Sequence, residues 1–167
     1  MVDRYVVDDQ HEIYVLPADD LQRRFSERAK TVWQGLPQHD RELLVAFWMG
    51  VRFSGDPRRE APVFRFDPDI PGGVAAHTVD GYELHFCERL LSQMPDDVMS
   101  GTIAHELGHA LLHARGYHWG PQSRSHVEAA VDGIVSGWGY DPDIAQDWVT
   151  NAPLADPAGN TPAGGAT

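Results

Sequence analysis

Residues Thr102 to Gly116 read TIAHELGHALLHARG, with His105, Glu106 and His109 forming a His-Glu-x-x-His pattern. Four residues turn an α-helix by about 400°, so His105 and His109 leave nearly the same face, one turn apart. Two imidazole nitrogens so spaced can reach one ion at about 2.0–2.1 Å. Glu106, between them, is suited to act as general base on a water held at that ion. Ile103, Leu107, Ala110, Leu111 and Ala114 supply an apolar flank, which lets the helix be buried while a polar stripe stays at the site. The competing explanation is an amphipathic helix with incidental surface histidines. The small Gly108 and Ala110, and the strand patterns that precede the helix, favour the metal site.

These residues need elements to hold them. YVLPADDLQRRFSERAKTVWQGLP reads as a first helix, capped by Asp19 or Asp20 and stopped by Gly35 and Pro37. A second helix is expected over 38–51, where Leu43, Leu44, Phe47, Trp48 and Val51 recur at helical spacing. The pair would form an N-terminal helical hairpin over the core. VFRFD alternates as a short strand, and VAAHTVDGYELHF reads as a hairpin turning at Asp80-Gly81. The catalytic-type helix should begin near Pro95-Asp96-Asp97, where acidic residues suit the dipole, and end at Gly116. Further helices are expected from Ser125 to about Trp138 and from Pro142 to Val149. The Ala-, Gly- and Pro-rich stretch from Asn151 reads as a disordered tail, leaving one domain over 1–150 and a tail over 151–167.

Composition removes several function classes. A chain of 167 residues is long enough for one domain with a hydrophobic core. Its 25 acidic residues against 13 basic ones give a net charge of −12, which repels phosphate, so no nucleic-acid partner is expected. Arg23, Arg24, Arg28 and Lys30, and the pair Arg58-Arg59, read as solvated helix or loop charges. The single Cys87 excludes an intramolecular disulfide and a cysteine-rich zinc knuckle. MVDRYVVDDQ has neither the basic nor the apolar region of a signal peptide, and no apolar run approaches the roughly 18 residues of a membrane span. No membrane partner and a cytoplasmic location are therefore expected, while oligomeric state leaves no trace in the sequence.

TIAHELGHALLH, preceded by GYELHF, resembles the zincin metallopeptidases, in particular minimal gluzincin-like domains. The resemblance covers roughly Val74 to Tyr140. It implies an α+β, zincin-like fold: a small β-sheet with an active-site edge strand, the His-Glu-x-x-His helix and a second helix donating the last ligand. It also implies Zn²⁺, a peptide or protein substrate, and hydrolysis of the peptide bond with Glu106 as the base.

Catalytic zinc usually has three protein ligands and one open position. Glu128, on a separate expected helix, is the preferred third ligand. It is spaced i, i+4 with Asp132 as in the gluzincin Glu-x-x-x-Asp, where the aspartate orients a ligand histidine. Asp132 also stands among Ala129, Ala130, Val131 and Ile134, where a carboxylate needs a buried partner. Alternatively, Ser125 and Glu128 form a capping box, S-x-x-E. His126 is the rival ligand, as in the three-histidine sites of SprT-like proteases, although Val127 replaces the glycine usual after that histidine. His113 lies too far along the helix to close the site and is read as a bystander. The oxyanion donor stays open among Tyr117, His118, His126 and Tyr140, and His77 with His85 reads as a cross-strand polar pair. The substrate is expected along the Tyr82–Phe86 strand by β-augmentation. The alternative function is a zinc-stabilised binding module with little or no peptidase activity.

Overall fold

The computed structural model describes residues 6–7, 13–14, 19–52, 63–71, 73–117 and 124–151. Two short strands, β1 (Val6–Val7) and β2 (Ile13–Tyr14), pair antiparallel ahead of the helices, so Tyr14 stands outside the first helix. Asp19 is the cap: its backbone is extended and its carboxylate accepts a 2.8 Å hydrogen bond from Gln22 N. Helix α1 (Asp20–Gly35) follows, and α2 (Gln38–Arg52) begins directly after Pro37. Trp33 of α1 stacks on Trp48 of α2 with ring centroids 5.7 Å apart.

Strands β3 (Val63–Asp67), β4 (Ala76–Val79) and β5 (Glu83–Cys87) form a sheet in the order β3-β5-β4. β5 runs parallel to β3, with Val63 opposite Glu83, and antiparallel to β4, with Ala76 opposite Phe86. The hairpin turns at Asp80 and Gly81, whose φ values of 51° and 77° are the left-handed pair a tight primed turn requires. One expectation is overturned here. The strand within Tyr82–Phe86 is not an edge, because β3 pairs along its second side; among the described residues the edges are β3 and β4. Hairpin signals are local, whereas the parallel partner arrives from a separate stretch of chain.

One face of the sheet is aromatic. Phe25 of α1 meets Phe66 and Phe86 edge-on, each at 4.8 Å between centroids, and Phe64 at 6.0 Å. A short helix α3 (Glu88–Leu91) then leads into α4 (Asp96–Ala114), which carries Met99, Ile103, Ala104, Leu107, Ala110 and Leu111 fully buried. α4 is the hub, packing against α1, α2, β4, α5 (Arg124–Gly137) and α6 (Ile144–Asn151). Two glycines permit this crowding. A Cβ on Gly108 would stand 3.0 Å from Val131 of α5, and one on Gly101 would stand 2.3 Å from Ile144 of α6. The architecture is α+β. No helix among the described residues is long and apolar enough to cross a membrane. Asn151 ends α6, and the rest of the expected tail lies outside the described residues.

Asp40 makes a long-range clamp that sequence reading did not find. It is 3% exposed, and its carboxylate accepts hydrogen bonds from Arg115 Nη2 and Trp138 Nε1, both at 2.9 Å. One residue of α2 thereby ties down the C-terminal ends of α4 and α5. Replacing Asp40 with Ala removes the acceptor shared by Arg115 and Trp138 and is expected to cost about 2 kcal/mol of stability. Arg115→Ala should cost at least as much, because it leaves the buried Asp40 carboxylate without its guanidinium partner, whereas Arg115 itself reaches solvent. Denaturant titration of the two variants checks the order.

Candidate metal centre

His105 and His109 point from α4 with their Nε2 atoms 3.2 Å apart. Glu128 of α5 closes the figure: its Oε2 lies 3.3 Å from His105 Nε2 and 3.5 Å from His109 Nε2. The local fold explains the meeting. Val127, Val131 and Val135 bury one stripe of α5 against α4, and Gly108 lets that stripe approach beside His109. Glu128, next to Val127, is thereby turned toward the two imidazoles.

A triangle with edges of 3.2–3.5 Å has a chemical meaning. Ligands about 2.0–2.1 Å from a tetrahedral ion stand about 3.3–3.4 Å from one another, so these three atoms match one tetrahedral face. Without a metal ion, a proton on an imidazole Nε2 lets it donate to Glu128 Oε2 at the same spacing. The side-chain electrostatics agree. Burial disfavours the charged form of His105, yet the hydrogen bond to Glu128 and the carboxylates of Glu106, Glu128 and Asp132 together raise its pKa above the usual value. Hydrogen bonds from His105 and His109 hold the Glu128 carboxyl far below the ordinary carboxylate range, against the effect of burial. The arrangement stabilises positive charge at its centre, whether a proton or a metal ion. His105, His109 and Glu128 form a group able to hold a metal ion.

Glu106 sits beside the triad and is 4% exposed. Its Oε2 accepts a 2.7 Å hydrogen bond from Thr78 Oγ1 of β4, a contact the sequence reading missed. The available signal was the alternation of β4, which puts Ala76 and Thr78 on the face shared with Leu84 and Phe86. A hydroxyl on a core-facing position needs a partner.

A cleft of about 670 Å³ opens over the triad, bounded by β4, α4, α5 and the start of α6. Asp132 stands in its wall. Burial raises the Asp132 carboxyl pKa, and Asp143 and Glu128 add to the rise against the pull of His105 and His109. The orienting role expected for Asp132 is not met at His105, whose Nδ1 is buried without a hydrogen-bond partner among the described residues. His126 is exposed and outside the group, so Glu128 and not His126 joins the two histidines. Gly81 of the β4–β5 turn packs so closely on His113 that a Cβ there would stand 2.5 Å from His113 Cβ, a structural role for this bystander.

Of the oxyanion candidates, Tyr117, His126 and Tyr140 do not line the cleft, and His118 lies outside the described residues. Tyr140 turns instead toward the end of α1, its hydroxyl 3.9 Å from where a Gly35 Cβ would be. His77 stacks on His85 across the hairpin, centroids 4.8 Å apart, as the expected cross-strand pair. His85 in turn contacts Asp67 through Nδ1 at 2.6 Å and Glu83 through Nε2 at 3.0 Å. Comparisons with protein-family models, with curated proteins and with solved structures find no match to this chain.

The opposed shifts predict a pH signature for protein stripped of metal. The raised pKa of His105 contributes stability that is full below its usual value of 6.5 and is lost as pH rises through the raised one. The lowered pKa of Glu128 contributes stability that is full above its usual 4.5 and is lost as pH falls. The stability gap between wild type and Glu128→Gln should therefore be widest between the two usual values, 4.5 and 6.5, and narrow as pH rises through the raised pKa of His105. Added metal should reverse the trend, since it competes with the proton on His105 and stabilises more as pH rises. Thermal melts of both proteins, with and without metal, measure each slope.

Proposed function

We propose that this chain is a zinc-dependent metallopeptidase with a zincin-like arrangement of its sheet edge, His-Glu-x-x-His helix and ligand helix. The observation that carries the reading is the triangle of His105 Nε2, His109 Nε2 and Glu128 Oε2, with edges of 3.2–3.5 Å. Two imidazoles and one carboxylate are a donor set typical of catalytic zinc, which keeps its remaining position open. The cleft over the triad gives that position access to a substrate. Zinc, when bound, supplies Lewis acidity toward a carbonyl oxygen and makes a water easier to deprotonate.

The chain's own groups do the rest. Glu106 takes a proton from the attacking water as the new C–O bond forms at the peptide carbonyl. When the C–N bond breaks, Glu106 returns that proton to the leaving amine. An extended peptide would lie against β4, the edge strand lining the cleft, by backbone hydrogen bonding. A purely structural zinc site is less well supported, because structural sites are closed by four protein ligands and this group has three among the described residues.

Metal analysis and peptide cleavage together test the proposal. Wild-type protein should bind about one zinc per chain, and His109→Ala should lose it. Glu106→Gln should keep the zinc and lose about 100-fold or more in cleavage rate. Wild-type protein that takes up no stoichiometric zinc would overturn the reading.

A further inference from the structure

We infer that Thr78 is a positioning residue for Glu106, holding one carboxylate oxygen so that the other serves as the base. The inference rests on the peptidase reading above and adds to it a residue outside the His-Glu-x-x-His motif. Glu106 is nearly buried, and a carboxylate in that position needs hydrogen-bond donors. Thr78 Oγ1 lies 2.7 Å from Glu106 Oε2 and 3.2 Å from the backbone oxygen of the same residue. The backbone oxygen can only accept, and an ionised carboxylate oxygen can only accept. The single hydroxyl proton of Thr78 is therefore donated toward Glu106, most directly to Oε2.

The donor is itself held firmly. Thr78 pairs with Leu84 in the β4–β5 ladder, and Leu84 is wholly buried in the core. β-branching restricts its χ1. Glu106 has three side-chain torsions and would otherwise be free to swing within the cleft. Fixing Oε2 fixes the carboxylate plane and leaves Oε1 as the oxygen available to a water. Misplacing a catalytic group by about 1 Å can cost on the order of 100-fold in rate, so a positioning contact can matter without touching substrate. The contact also links the base to the edge strand on which a peptide would dock.

The experiment compares zinc-loaded, full-length wild type with Thr78→Val, Thr78→Ser and Thr78→Ala. A mixture of fluorescence-quenched peptides identifies one that wild type cleaves, and kcat and KM are then measured on it. Thr78→Val keeps the shape and removes the donor, so kcat should fall about 10- to 100-fold with KM changed less than about twofold. Thr78→Ser restores the hydroxyl and should return kcat to within about threefold of wild type. Zinc content should be the same in all variants. Should Thr78→Val fail to fold, Thr78→Ala supplies the donor-free comparison with Thr78→Ser.

An unchanged kcat in the donor-free variant would overturn the inference alone. Equal impairment of the serine variant, or a loss that follows zinc content, would do the same. Zinc-loaded wild type that cleaves none of the peptides would instead sink the peptidase reading, and the role of Thr78 with it.

Discussion

Three lone-pair donors forced to within 3.2–3.5 Å of each other are the constraint around which this fold is arranged. A proton on His105 Nε2 or His109 Nε2 makes the contact with Glu128 Oε2 a hydrogen bond, and a metal ion can take that proton's place. The opposite pKa shifts of His105 and Glu128 express that preference for positive charge. The packing of the two helices holds the three atoms at that spacing.

That packing begins with α4. Its buried side holds Met99, Ile103, Leu107 and Leu111, and it packs against three helices and the edge strand besides α5. Gly108 lets α5 come close beside His109, and Gly101 does the same for α6, which walls the cleft. Asp40 ties the C-terminal ends of α4 and α5 together through Arg115 and Trp138. Thr78 ties the sheet edge to Glu106. The polar side chains at the site are thus set by contacts from every neighbouring element, not by α4 alone.

What could be read from the sequence was local. Helical periodicity placed His105 and His109 on one face, and the i, i+4 pairing of Glu128 with Asp132 pointed to the helix that meets them. Asp19 as a cap and Asp80-Gly81 as a turn were legible because each acts on its immediate neighbours. What escaped was long-range. The parallel strand β3 converts the expected edge strand into the sheet centre, and nothing in YELHF signals it. The Asp40 clamp joins residues far apart in the chain, and Thr78 looks like any strand threonine until α4 is laid beneath it. Asp132 was legible as a carboxylate needing an explanation, but its partner was not, since it lines the cleft without reaching His105 Nδ1.

The proposed zinc centre is tested most directly by X-ray absorption spectroscopy at the zinc edge on metal-loaded protein. Two imidazoles and one carboxylate at about 2.0–2.1 Å, with the carboxylate lost in Glu128→Gln and both imidazoles kept, is the result expected. A spectrum unchanged by Glu128→Gln, or one that needs a third imidazole, would contradict the centre formed by His105, His109 and Glu128.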